Sequence, residues 1–356
     1  MTLETEDRKT FDAIVIGAGQ AGLAAGYHLR RAGARFLMLE AGKVGDVWTR
    51  RWDSLRLFTP ARYNCLPGKP FPGKPYHLPT KDEVAKYLRD YARHFALPVR
   101  ENAWVRSVRQ HGGGFRVELG SGEALETRSV IVATGANQRP YTPKLASAMA
   151  PQIVQLHSSA YRSPAQLPQG RVLVVGAGNS GAQIALELAD SGRDVLLAGP
   201  AAGALPRRLL GRDIYDWIWH TLLGLTSGSA LGRRRMDSHR YAADPLIGLS
   251  EDDFAPRRVR RVGRVAGTHE GMPMLADGST VGDVAAIVWC TGFRPDYSWI
   301  ELPIFGLDGY PIHDRGVAVG VPGLAFLGMR YQYRIRSALL GGVGEDAAHV
   351  VAQMEA

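Results

Sequence analysis

Ile14-Val15-Ile16-Gly17-Ala18-Gly19-Gln20-Ala21-Gly22 is the stretch on which the fold of this 356-residue chain turns. The apolar run Phe11 to Ile16 before it reads as a buried parallel strand, and Ala21 to Arg31 after it is helical in composition. Between them stands G-x-G-x-x-G. The first glycine permits a tight turn, the second lets backbone approach a pyrophosphate, and the third lets the helix pack closely on the strand. Arg35 to Leu39 then forms a second strand that ends in Glu40. An acid about 20 residues beyond the glycines is what a dinucleotide ribose needs. A purely structural glycine turn leaves Glu40 unexplained. Gly17, Gly19, Gln20, Gly22 and Glu40 are therefore expected to form a dinucleotide site, with the phosphates at a helix N-terminus. Its place at the start of the chain favours FAD, but spacing alone does not choose between FAD and NAD.

The logic repeats at Val172 to Gly181, where Gly176, Gly178, Asn179, Ser180 and Gly181 supply the turn and the helix start. Two fingerprints mean two dinucleotides, and one must hand electrons to the other, which points to a flavin with a nicotinamide. The strand that follows, Asp194 to Ala198, ends in Gly199-Pro200 rather than an acid. Loss of that carboxylate removes its repulsion of a 2′-phosphate and favours NADPH, with NADH possible. Arg207 and Arg208 are the nearest cations, with Arg212 further on; the competing explanation is that they are surface charges.

Between and beyond the fingerprints, Trp48 to Pro75 reads as an irregular packed loop and Lys81 to Phe95 as a helix with Val84, Tyr87, Leu88, Tyr91 and Phe95 on one face. Ser129 to Ala133 and Ala285 to Trp289 are further strands, closing at Thr134-Gly135 and at Thr291-Gly292. Ile214 to Leu225 reads as one buried or interfacial helix, and Glu345 to Met354 as the last helix. The two strand-Thr-Gly exits bracket the second fingerprint. The expected fold is α/β, with two Rossmann-like dinucleotide-binding domains, the nicotinamide domain inserted into the FAD domain. The boundaries fall at 1–150 and 285–356 for the FAD domain and 151–284 for the insert.

Composition narrows the class. Apolar residues make up 45% and charged residues 22%, as in a soluble globular protein. The start of the chain lacks an apolar signal segment, and no apolar run is long enough to span a bilayer. Cys65 and Cys290 are far apart and form no CxxC, which counts against a flavoenzyme with a redox dithiol, argues against a zinc or other metal site, and fits a reducing cytoplasm. The net charge of +9 is spread, without a basic stripe interleaved with aromatics, so nucleic acid is not an expected partner. It is either a solvated surface or a field favouring anionic cofactors and acidic substrates.

At this level of detail the chain resembles the class B flavoprotein monooxygenases, which include flavin-containing monooxygenases, plant YUCCA enzymes and Baeyer–Villiger enzymes. The resemblance spans most of the chain. It rests on both glycine turns, on Trp48 with Arg51-Trp52-Asp53-Ser54-Leu55, on Ala133-Thr134-Gly135 with Pro140, on Leu156 to Tyr161, and on Thr291-Gly292-Phe293-Arg294-Pro295. It implies FAD at the first turn, NAD(P)H at the second, and dioxygen as co-substrate. The expected reaction is monooxygenation of a small organic molecule through a flavin C4a-(hydro)peroxide, by a monomer or homodimer. The linker motif matches at His157 and Tyr161, with Pro151 and Ile153 in place of its Phe and Gly. Tyr161 is closer to the flavin-containing and YUCCA members. His157 is expected to order the linker, against the reading of a histidine without a role.

The resemblance also implies an asparagine supporting the oxygenated flavin, and Phe58 stands there instead. The flavin carries the chemistry, so no catalytic side chain stands out; Arg56, Phe58 and Thr59 are the candidates, and Arg56, Tyr331, Gln332 and Arg334 are candidates for the substrate side. Trp48, Thr134, Gly135, Gly341 and Gly342 are expected around the flavin, the last two aiming the final helix at the ring. Two alternatives stay open: an NAD(P)H oxidase or reductase without productive oxygenation, which the missing amide motivates, and a non-catalytic dinucleotide sensor.

Overall fold

The computed structural model describes residues 10–239 and 244–354. In chain order the elements that matter for the site are β1 (Phe11–Ile16), α1 (Gln20–Arg31), β2 (Phe36–Leu39), α2 (Lys81–His94), β3 (Ala124–Val132), β4 (Val154–His157) and β5 (Arg171–Val175). They continue with α3 (Asn179–Asp190), β6 (Val195–Ala198), β7 (Arg260–Val262), β8 (Val284–Trp289), β9 (Leu324–Phe326) and α4 (Gly344–Met354).

The strands form two main sheets with parallel centres. The first runs β9-β3-β1-β2 in parallel, with Val99–Arg100 beyond β2. Antiparallel strands at 105–119 and 313–318 extend it. The second is five-stranded and wholly parallel, in the order β7-β6-β5-β8-β4. The first sheet thus draws strands from both ends of the chain, and the second lies between them in sequence.

Burial on both faces explains the unbroken apolar runs. Along β1, Ala13 and Val15 enter one core while Ile14 and Ile16 enter another. Along β5, Val172 and Val174 join the first of these cores, and Leu173 and Val175 pack into a third. The helix-side core is therefore continuous between the two sheets. It also takes in Tyr161, Val350 and the α2 face of Val84, Tyr87, Leu88 and Tyr91. Each fully buried aliphatic side chain contributes about 1.5–3 kcal/mol relative to exposure. The start of α2 is fixed by a capping box, with Thr80 Oγ1 accepting from Glu83 N and the Glu83 carboxylate accepting from Thr80 N.

One expected element is shorter than its sequence suggests. Ile214 to Leu225 is helical only over Ile214–Ile218. Leu223 N then donates to Ile218 O, five residues back, so the chain leaves the i−4 ladder in a run of turns that includes Gly224. Among the described residues, no helix is long and apolar enough to cross a membrane.

Candidate functional site

The two glycine turns are built alike. At the first, Gly17 has φ = +101°, and a Cβ there would lie 2.6 Å from the carbonyl oxygen of Ala133, at the exit of β3. A Cβ on Gly22 would lie 1.9 Å from Gly17 O. A Cβ on Gly19, in contrast, would meet nothing within 4 Å. Two of the glycines are thus required by the protein's own packing, and the middle one borders open space. Gly19 caps α1 without a side-chain hydrogen bond, which leaves amides at the positive end of the helix dipole free for an anion. Glu40 follows β2 directly; its carboxylate accepts from Ala18 N at 2.8 Å and from Gly42 N at 3.1 Å. The acid that the spacing singled out is therefore in contact with the glycine turn.

At the second turn, Gly176 has φ = +108° and a Cβ would lie 2.3 Å from Cys290 O, at the exit of β8. A Cβ on Gly181 would lie 1.8 Å from Gly176 O. Gly178 caps α3, again without a side-chain partner. Asn179 turns its side chain to Pro245 O at 3.2 Å. Both cradles have the shape that a pyrophosphate requires, which is the fit expected for FAD and a nicotinamide dinucleotide.

The C-terminal segment reaches the first turn. Gln20 Nε2 donates to Ala338 O at 3.1 Å, and α1 packs on α4. A Cβ on Gly341 would lie 2.2 Å from Tyr63 O, and one on Gly342 2.0 Å from Arg336 O, so both glycines permit close backbone contacts. The first turn of α4 carries its own acids. Glu345 pairs with Arg334 and Arg336 at 2.8 Å each, and Asp346 is buried with Arg334 at 3.6 Å. Burial holds the Asp346 carboxyl above the usual carboxylate range. Trp48 is half-buried on a short helix, and Gln138 Nε2 ties Thr134 Oγ1 and Gly135 O together at 2.9 and 2.8 Å.

His157 closes the β4 end onto the β8 exit. Ser159 N donates to Nδ1 at 3.1 Å, so the ring proton sits on Nε2 and is donated to Gly292 O at 3.0 Å. Burial, with Arg51 nearby, holds its pKa below the ordinary value although the Gly292 bond opposes this. His28 and His349 are also lowered, chiefly by burial. A histidine kept neutral on folding stabilises the fold above its unfolded pKa of about 6.5 and loses that contribution as pH falls below it, because the unfolded chain takes the proton first. Tm is therefore expected to fall between about pH 7.5 and 5.5, and to fall less in a His157→Gln variant. Equal losses in the two proteins would remove His157 from that account.

A cavity of about 490 Å³ lies beside α3. Four arginines line it (Arg56, Arg207, Arg208, Arg212) against two aspartates, Asp213 and Asp216, with Phe58 and Tyr76 adding aromatic surface. Arg207, expected from sequence near the end of β6, reaches into this cavity. It donates to Phe58 O at 2.6 Å and pairs with Asp213 at 2.7 Å. Asp216 accepts from Tyr63 and Tyr76 hydroxyls at 2.5 and 2.9 Å, and Gln183 Nε2 holds Arg56 O at 3.1 Å. Thr59 is buried and donates to Asn64 Oδ1 at 2.7 Å. Gln332 is buried and donates to Arg315 O, whereas Tyr331 stands at φ = +55° beside Arg330. The cavity thus gathers Arg56, Phe58 and Arg207; Thr59, Tyr331, Gln332 and Arg334 are not among its lining residues.

Sequence reasoning did not find Glu187, which accepts from the fully buried Tyr161 hydroxyl at 2.8 Å, nor the Gln20 and Gln183 tethers. No local signal marks such long-range partners. Cys65 and Cys290 are free thiols, and burial raises Cys290 to about 12. Among the described residues, no group of three or more His, Cys, Asp or Glu could hold a metal ion.

Residues 14–209 match the family model described as pyridine nucleotide-disulphide oxidoreductase. The chain is 40% identical over 344 residues to a CzcO-like oxidoreductase of Geobacillus kaustophilus, covering 96% of this chain and 97% of that one. It is 34% identical over 333 residues to the indole-3-pyruvate monooxygenase YUCCA1 of Oryza sativa subsp. japonica, covering 83% and 80%. Among solved structures, a flavin-containing monooxygenase from Stenotrophomonas maltophilia is similar with a TM-score of 0.78 and 30% identity, covering 98% of each chain.

Proposed function

The chain belongs to the pyridine nucleotide-disulphide oxidoreductase family, and from that premise we propose that it is an FAD-dependent monooxygenase using NADPH and dioxygen on a small organic substrate. The observation that carries this is the pair of glycine cradles, each closed by a strand-exit carbonyl and each ending at an uncapped helix. We assign FAD to the turn at Gly17, Gly19 and Gly22 with Glu40, and NADPH to the turn at Gly176, Gly178 and Gly181. Residues up to 150 and those beyond β8 make a Rossmann-like FAD domain, and the stretch from 151 through β8 an inserted nicotinamide domain; the boundary expected at 284/285 moves past Trp289, because β8 pairs with β5 and β4 in the second sheet.

When bound, FAD supplies the chemistry of accepting hydride and activating dioxygen. The chain's own residues bind and orient. Glu40, held by two backbone amides, presents its remaining acceptor capacity to a ribose hydroxyl. Gln20 fixes the C-terminal segment at Ala338, from which Gly341, Gly342 and the start of α4 would help to hold a bound flavin. The tyrosine clamp on Asp216 ties the irregular segment to the 214–218 helix, and the Gln183–Arg56 bond ties it to α3. The excess of arginine in the adjoining cavity favours an organic carboxylate over an amine as substrate.

Anaerobic addition of NADPH is expected to bleach the yellow protein, and readmitted oxygen-18 gas to appear in the product of an oxygenated substrate. Peroxide formed in equal amount to the NADPH consumed, whatever the substrate, would identify an oxidase, the reading that Phe58 favours. Failure of both nicotinamides to bleach the flavin would leave a dinucleotide sensor.

A further inference from the structure

β6 ends at Ala198 and is followed by Gly199-Pro200, without a carboxylate. Gly199, just past β6, has φ = +130°, and a Cβ there would lie 3.5 Å from Ala177 N. The end of β6 thus leans on the second glycine turn. In a strand-turn-helix unit of this kind, the adenosine ribose lies over the end of the strand after the helix. An acid there reads the 2′-hydroxyl, whereas an arginine nearby accommodates a 2′-phosphate.

The neighbouring strand supplies that arginine. β7 pairs with β6 in parallel, with Leu197 opposite Arg261, and an Arg261 η-nitrogen donates to Gly199 O at 3.3 Å. Two neighbouring cations are committed, Arg257 to Asp190 at 2.8 Å and Arg260 to Asp194 at 3.0 Å, whereas Arg258 and Arg264 are exposed. Arg207 is held by the buried Asp213 and lines the other cavity. Arg261 has a longer contact, 3.6 Å to the exposed Glu251, and its side chain is 23% exposed. Its donors can therefore turn to a dianion, for which a planar guanidinium fork is suited.

We propose that Arg261 reads the 2′-phosphate of the nicotinamide cofactor and sets the preference for NADPH over NADH. This rests on the assignment of the second turn to the nicotinamide. Calorimetric titration of the flavin-loaded protein with 2′,5′-ADP and with 5′-AMP tests it without turnover. The wild type is expected to bind 2′,5′-ADP about tenfold to hundredfold more tightly, the range for charge-assisted hydrogen bonds. Arg261→Gln should bring the two probes near parity with 5′-AMP affinity unchanged, which also reports that the site is folded. Arg207→Gln should keep the preference. A preference that survives Arg261→Gln, or that is lost in Arg207→Gln, overturns the assignment, as does its absence from the wild type. If the wild type binds neither probe, the nicotinamide assignment of the second turn fails as well.

Discussion

A Gly19→Ala variant is expected to fold and melt like the parent as apoprotein and to bind FAD about fivefold to hundredfold more weakly. Gly19 has φ = −76°, which alanine adopts freely, and a Cβ there would meet no protein atom within 4 Å. The added methyl costs the polypeptide almost nothing. It projects into the space that a pyrophosphate must enter, where overpacking costs ~1–3 kcal/mol, or about fivefold to hundredfold in affinity. Thermal unfolding of the apoprotein and titration with FAD separate the two effects. Unchanged FAD affinity would contradict the assignment of the first turn. Gly22 offers the internal contrast, because alanine there must push on Gly17 O from 1.9 Å and so shifts α1 from β1, lowering the Tm of the apoprotein as well as the FAD affinity.

Gly181→Ala is expected to divide the electron route in two. Its Cβ would lie 1.8 Å from Gly176 O, backbone against side chain, so α3 must shift away from β5. The strain falls in the second sheet, away from Gly17 and Glu40. The variant should keep its FAD and be reduced by dithionite, while NADPH bleaches it at least about a hundredfold more slowly, as misplacement by about 1 Å costs. Anaerobic stopped-flow absorbance reads the difference. Parental rates with NADPH would show that this turn does not hold the nicotinamide.

The parts of the molecule that the sequence announced are those governed by short-range rules. Glycine spacing placed the turns, and apolar runs placed β1, β3, β5 and β8, because strands buried on both faces must be apolar throughout. The face of α2 was legible from its period, and Glu40 from its distance to Gly19. What was not legible depends on the third dimension. Arg207 was placed by its nearness in sequence to Pro200, yet the buried carboxylate of Asp213 draws it to Phe58. Arg261 lies 62 residues from Gly199 and meets it only because β7 flanks β6. The helix expected over Ile214 to Leu225 had the right composition but lost its ladder at Leu223.

The pairing of β9 with β3 has a consequence for the birth of the protein. Leu324, Ala325 and Phe326 align with Val130, Ile131 and Val132. During synthesis the ribosome delivers β3 early and its neighbour only near the end, after every strand of the second sheet has emerged. Domains generally fold as units while the chain grows. The inner unit can therefore close on its own, while the outer sheet waits with an open edge beside β3, the kind of edge that invites wrong pairing. A nascent chain that stalls before Leu324 has every strand of the second sheet and an incomplete first sheet. Completion of the first sheet is then the last step of folding, and the Gln20–Ala338 bond fastens the segment before α4 to the start of α1.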